Sequence, residues 1–159
     1  MNIRLAKKED FEDYFGLMCE LYISEIKTSK KDPYLKLYLQ KPREKELRKE
    51  FSKMLNKHDS FFLVSEDNGK VVGFQYGFID YYVVDKKRNH FGHLDTLVVS
   101  KEYRGGGIGT NLLKKSFRWF KDKGLKWCML RVDNDNNLAV SLYKKLGFYP
   151  TELRMVKRI

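Results

Sequence analysis

The stretch from Leu94 to Thr110, LDTLVVSKEYRGGGIGT, limits what this chain can become more than any other. Leu94 to Val99 carries the apolar run Leu97-Val98-Val99 and is expected as a strand. From about Ile108 to Lys123, Leu112, Leu113, Phe117 and Phe120 recur at helical spacing, which predicts a helix. Between them lies Arg104-Gly105-Gly106-Gly107-Ile108-Gly109. Glycine admits positive φ and lets the backbone approach a ligand closely. At a helix start, unpaired N–H groups and the positive dipole end face outward together. Such a turn holds phosphate-type anions on main chain alone, and Arg104 adds a charge.

Three other readings compete. A Walker A loop needs Lys after its last glycine, and Thr110 follows Gly109. A dinucleotide fingerprint starts at Gly105 and Gly107, with Asp133 placed as the ribose-binding acid. Thr110 then stands where its third glycine belongs, and more β-α-β units are needed than the residues up to Ile159 provide. The third is a tight turn with no ligand.

One strand further on comes VDNDNNLAVSLYKKLGF, Val132 to Phe148. The pattern R-x-x-G-x-G is filled by Arg104, Gly107 and Gly109. The pattern N-x-x-A-x-x-L-Y-x-K-x-G-F is filled by Asn136, Ala139, Leu142, Tyr143, Lys145, Gly147 and Phe148. Together they resemble the GNAT superfamily (general-control-type N-acetyltransferases), most sharply from Leu94 to Phe148. Departures are Lys101, where the family often has Pro, and Asp95, where it often has Glu.

The resemblance implies transfer of an acetyl group from acetyl-coenzyme A to a primary amine by direct attack. The pyrophosphate then lies on the amides of Gly105, Gly106, Gly107, Ile108, Gly109 and Thr110, with Arg104 at the same turn. The pantetheine arm pairs like an added strand with Leu97, Val98 and Val99. That requires the opening and fifth strands to splay, as a bulge near Leu97 would make them. An N–H set free there, on Val98 or its neighbour, holds the oxyanion. Tyr143 takes the family's place for the general acid, and Asn136 hydrogen-bonds the coenzyme or simply caps its helix. The base stays open between Asp95, His93 and water, Asp95 and His93 sharing a strand face. Tyr76, Phe78, Tyr81, Tyr82 and Phe91 either line the acceptor side or are core.

Length suits one domain, 1–159, with a single core. No apolar run reaches the about 20 residues of a membrane helix, and MNIRLAKKED lacks a secretory apolar centre, so a cytoplasmic location is expected. Cys19 and Cys128 have no C-x-x-C partner, so buried thiols and no metal site are expected. The net charge of +11 is concentrated: residues 27–57 hold eleven Lys or Arg against four acids. That face could attract nucleic acid or an acidic protein, which defines the alternative of a non-catalytic binding module of the same fold. A solvated helix surface with pairs such as Glu44 with Arg48 is the plainer reading, and no helix-turn-helix or zinc finger argues for nucleic acid.

The remaining order is a strand at Asn2 to Leu5, a helix capped by Asp10, and a connection from Thr28 to Pro42. In families of this kind that connection, here with Tyr34, Leu35, Leu37 and Tyr38, helps choose the acceptor. A helix from Glu44 to Lys57 follows, then strands Ser60 to Ser65 and Val71 to Tyr82 around Asn68-Gly69. Gly73 and Gly77 suggest bulges or close backbone approach, and Asp80 to Phe91 reads as a connection. Trp127 to Val132 is the fifth strand, Asn136 to Leu146 a helix stopped by Gly147, and Phe148 to Val156 a last strand region. The expected fold is α/β, a mixed, mostly antiparallel central sheet with helices on both faces. The acceptor is a small-molecule or protein amine. A polycation is disfavoured unless the pocket is locally acidic, and relatives commonly pair as homodimers.

Overall fold

The computed structural model describes residues 1–28, 39–84, 86–152, 155 and 157. Its sheet is organised by a two-residue turn in which Asn68 (φ 49°) and Gly69 (φ 80°) are both left-handed. That is the type I′ geometry, whose twist matches the strands it joins. It connects β2 (Ser60–Asp67) to β3 (Lys70–Val84). β1 (Asn2–Leu5) flanks β2, and β4 (Lys87–Val99) flanks β3, all antiparallel. After β4 the chain crosses back through α3 (Ile108–Asp122), so β5 (Cys128–Leu130) lies parallel to β4 and completes the order β1-β2-β3-β4-β5.

The uninterrupted run Phe61-Phe62-Leu63-Val64 is apolar because both faces of the sheet are covered. Phe62 and Val64 meet α1 (Phe11–Thr28) and α2 (Glu44–Asn56), where Tyr14, Phe51 and Phe74 join them. Phe61 and Leu63 meet α3, whose Leu112 and Leu113 are fully buried. Each such side chain is worth about 1.5–3 kcal/mol removed from water. α4 (Asn137–Lys145) packs on the α3 side through Leu142 and Tyr143.

Two bulges mark the glycines of β3. Ser65 faces Gly73 while Glu66 faces Val71, leaving Val72 extra. Tyr76 faces Thr96 while Gly77 faces Leu94, leaving Asp95 extra. The bulge of β4 is therefore at Asp95, two residues before the expected Leu97. A Cβ on Gly77 would lie 2.9 Å from the His93 carbonyl, so the distorted backbone settles opposite the residue with no side chain. The bulge separates the faces: His93 packs on the α1 side, and Leu97 packs on the α3 side.

Other boundaries differ from those expected. Asp80 to Phe91 is not a connection, because the β-prone run Tyr81-Tyr82-Val83-Val84 extends β3 and pairs with residues 87–90. β5 is only three residues long. Residues 148–152 form no strand, and 153, 154 and 156 lie outside the described residues, as do Tyr34, Leu35, Leu37 and Tyr38. Asp10 ends a short 3-10 turn instead of capping α1; its carboxylate accepts the Lys7 N–H and pairs with Arg4 at 2.7 Å. On α2 the Glu44–Arg48 pair forms at 2.8 Å, and Arg48 also holds Glu12 and lies over the Phe11 ring. The basic charge of this helix is thus partly neutralised by its own surface. Among the described residues no helix is long and apolar enough to cross a membrane.

Candidate active site

The site is built where β4 runs out of a neighbour. β4 and β5 pair at Gly92–Cys128, His93–Met129 and Leu94–Leu130, and no further. β4 continues to Val99, and among the described residues no strand pairs with its β5-side edge beyond Leu94. Ser100 N–H donates to the Val72 carbonyl at 2.9 Å, so on the two-residue alternation Val98 N–H also points to β3. Leu97 and Val99 turn their N–H and C=O groups to the opening. This corrects the expectation for Val98, whose side chain is core and whose amide serves the sheet. The neighbours carry the outward edge, on which the Val99 carbonyl is taken by Arg104.

A one-turn 3-10 segment, Lys101–Tyr103, then delivers Arg104, whose Nε donates to the Val99 carbonyl at 3.0 Å. Gly105 (φ 85°) and Gly107 (φ 79°) take the left-handed conformation that disfavours any side chain. Asn111 N–H is the first to reach back within α3, to Gly107 C=O at 3.0 Å. The N–H groups of Ile108, Gly109 and Thr110 therefore belong to the first turn, which has no intrahelical acceptor. With the dipole behind them they form an anion cradle beside the open edge. A Cβ placed on Gly109 would touch Leu97, Leu142 and Val99 at 3.7–3.8 Å, so β4, α3 and α4 meet there.

α4 reaches this junction through Leu142, and the next residue, Tyr143, packs on the same α3-side cluster. Asn136 caps the helix, its Oδ1 accepting the Ala139 N–H at 3.2 Å. Gly147 (φ 90°) ends it. Burial pushes the Tyr143 phenol above its ordinary value, so it holds its proton.

On the α1 side stand the groups proposed for proton removal. Asp95 is exposed on its bulge and accepts the Thr96 hydroxyl at 3.0 Å. His93 stacks on Phe78 with planes 5° apart, and its Nδ1 lies 3.9 Å from an Asp80 carboxylate oxygen. Burial and then the charges of Glu50 and Asp95 push the Tyr14 phenol up; burial and Asp95 do the same for Tyr76. Burial, and then Asp133, push the Glu25 carboxyl up. Of the aromatic residues singled out in the sequence, Tyr76 and Phe91 are core, while Tyr82 is half exposed and stacks on Phe91 at 4.7 Å. Glu25 carried no sequence signal, since α1 periodicity marks only its apolar face. Cys19 and Cys128 are half-buried thiols, and no described cluster of three His, Cys, Asp or Glu is placed to hold a metal.

A model of the acetyltransferase (GNAT) family matches residues 23–148. An uncharacterized N-acetyltransferase of Methanocaldococcus jannaschii is 33% identical over 99% of this chain, which spans 66% of that relative's length. Among solved structures, a mutant form of a Bacillus halodurans protein superposes with TM-score 0.88 at 19% identity, covering 100% of this chain and 99% of that one. Aminoglycoside N-acetyltransferase AAC(6')-Iy in complex with CoA superposes with TM-score 0.76 at 18% identity, covering 99% and 93%.

Proposed function

The chain belongs to the acetyltransferase (GNAT) family, and on that premise we propose that it moves an acetyl group from acetyl-coenzyme A to a primary amine by direct attack. The observation that carries the reading is the parting of β4 and β5 after Leu94 and Leu130, beside an anion cradle at the start of α3. A thiol carrier needs both at once: main-chain donors for its diphosphate and a slot for its arm.

The cradle fits a diphosphate, because two left-handed glycines and the first-turn amides present N–H groups with no Cβ in the way. The bound coenzyme supplies the thioester whose carbonyl carbon the amine attacks. Leu97 N–H, the first amide after the bulge to face the opening, serves the carbonyl oxygen as it becomes an oxyanion. The Leu97 carbonyl and the Val99 N–H on this edge pair with the amides of the arm. Tyr143 O–H protonates the departing sulfur. A thiolate with pKa about 8.5 is already a fair leaving group, so this step assists without being indispensable. Asp95 takes the amine proton directly or through water, with His93 as the nearby alternative.

Acidic groups occur near the bulge in a chain of net charge +11. Asp95 on the bulge acts on Tyr14 and Tyr76 of the α1 layer, which supports a small, positively charged amine as acceptor. Residues 1–159 act as one domain in the cytoplasm on this reading. Titration with acetyl-coenzyme A should show saturable binding that Gly107→Asp abolishes, and an amine panel followed by thiol release identifies the acceptor. Absence of binding at millimolar ligand would reject the reading.

A further inference from the structure

Resting on the reading above, we propose that Glu20, on α1, is a positioning residue for the coenzyme cradle. Its carboxylate reaches across 80 residues of sequence to Ser100 and Lys101. Ser100 Oγ donates to Oε1 at 3.2 Å, and Lys101 N–H donates to Oε2 at 3.0 Å. Ser100 is the residue between β4 and the 3-10 turn, and Lys101 opens that turn, which leads to Arg104. The turn has no side-chain cap of its own. Glu20 therefore supplies, from another element, the acceptor that an N-cap residue normally provides, and does so with a full charge.

Two further contacts complete a three-sided tether. Tyr103 O–H donates to Asp67 Oδ2 at 3.3 Å, fixing the segment to the β2–β3 turn. Arg104 Nε holds the Val99 carbonyl, fixing it to β4. Glu20 contributes the side facing α1. Beyond Arg104 come three glycines, the residue type that loses most conformational freedom on ordering. A lead-in already pinned on three sides limits the ordering that coenzyme binding must accomplish. α1 also carries Tyr14, whose phenol feels the Asp95 charge.

The test is calorimetric titration of coenzyme A into wild type, Glu20→Ala, Glu20→Gln and Ser100→Ala, with steady-state kinetics on each. Glu12→Gln, on the same helix but paired with Arg48, is the control. Glu20→Ala should raise Kd about tenfold, with kcat at saturating acetyl-coenzyme A within about twofold of wild type. Glu20→Gln, whose amide oxygen still accepts from Lys101 N–H, should fall between. Ser100→Ala should raise Kd less, and added to Glu20→Ala it should change nothing more, since both remove one interaction. A role in stability alone would lower the melting temperature and leave Kd where it was, which would overturn the assignment. Should Glu20→Ala not fold, the Kd of Ser100→Ala decides between the same two outcomes. Wild-type protein that fails to bind coenzyme A overturns the acetyltransferase reading itself; wild type that binds and variants that match it overturn only the role of Glu20.

Discussion

The ring of Phe148 stands edge-on to that of Tyr143, with centroids 5.8 Å apart and planes at 68°. The contact is produced by the way α4 stops. Phe148 N–H bonds the Tyr143 carbonyl at 3.0 Å and Gly147 N–H bonds that of Lys144 at 3.1 Å, the paired bonds of a Schellman ending. In that ending the residue after the glycine packs on the residue five before it. Phe148→Ala should therefore lower kcat through a loosened Tyr143 and destabilise the fold by about 2 kcal/mol. Comparing kcat with the denaturation midpoint separates the two effects.

Tyr143→Phe should reduce kcat about 10²-fold while leaving coenzyme Kd nearly unchanged. Because burial raises the phenol, the group stays protonated to higher pH than a free tyrosine. The alkaline limb of wild-type kcat should accordingly fall only above about pH 10, and the variant should lack that limb. An unaltered kcat would remove the acid role.

Asp95→Asn should cost rate at neutral pH and regain it at high pH, where the amine is free without help. The same change removes a negative charge near Tyr14 and Tyr76, so both phenols should titrate lower than in wild type. A pH–rate profile and ultraviolet titration of tyrosine check both outcomes. An unchanged profile would return Asp95 to a structural role.

Acid should unfold the protein partly through Asp10. Burial alone would raise its carboxyl, but the Arg4 guanidinium and the Lys7 N–H overcome that and hold it below the usual carboxylate range. A depressed folded-state value means that the stabilisation is present above the unfolded pKa near 3.9 and disappears as pH falls through the folded value. Arg4→Met leaves a buried carboxylate without its partner and should cost about 3 kcal/mol at pH 7, less at pH 3. Urea denaturation at the two pH values measures this directly.

Gly92→Ala is expected to destabilise by about 2 kcal/mol although it adds one methyl group. The new Cβ would lie 2.7 Å from three ring atoms of Phe120, which is itself buried and has nowhere to swing. Gly92→Ala combined with Phe120→Leu should recover part of the loss in thermal denaturation.

Much of this was legible in the chain because the informative residues act locally. Asn68-Gly69 specifies its own turn, Gly147 its own helix end, and Leu112, Leu113 and Phe120 their own buried stripe. What escaped depends on partners distant in sequence. The bulge falls at Asp95 because Gly77, on another strand, makes room there. Val98 has the sequence of a free donor, but the bond from Ser100 to Val72 sets the direction of the amides before it. Asp10 resembles a helix cap, yet Arg4 on β1 and the Lys7 amide claim its carboxylate. Glu20 and Glu25 sit on the polar side of an amphipathic pattern that marks only where the core lies.

The extra residue at Asp95 gives β4 two reading frames. Before it, odd-numbered residues such as Phe91 and His93 belong to the α1 layer; after it, that layer takes the even-numbered Thr96 and Val98. Removing a single residue here would merge the frames, sending Val98 to the wrong layer and Leu97 and Val99 to the other. Substitution can retune this strand, but a one-residue deletion would invert everything between the bulge and the glycines.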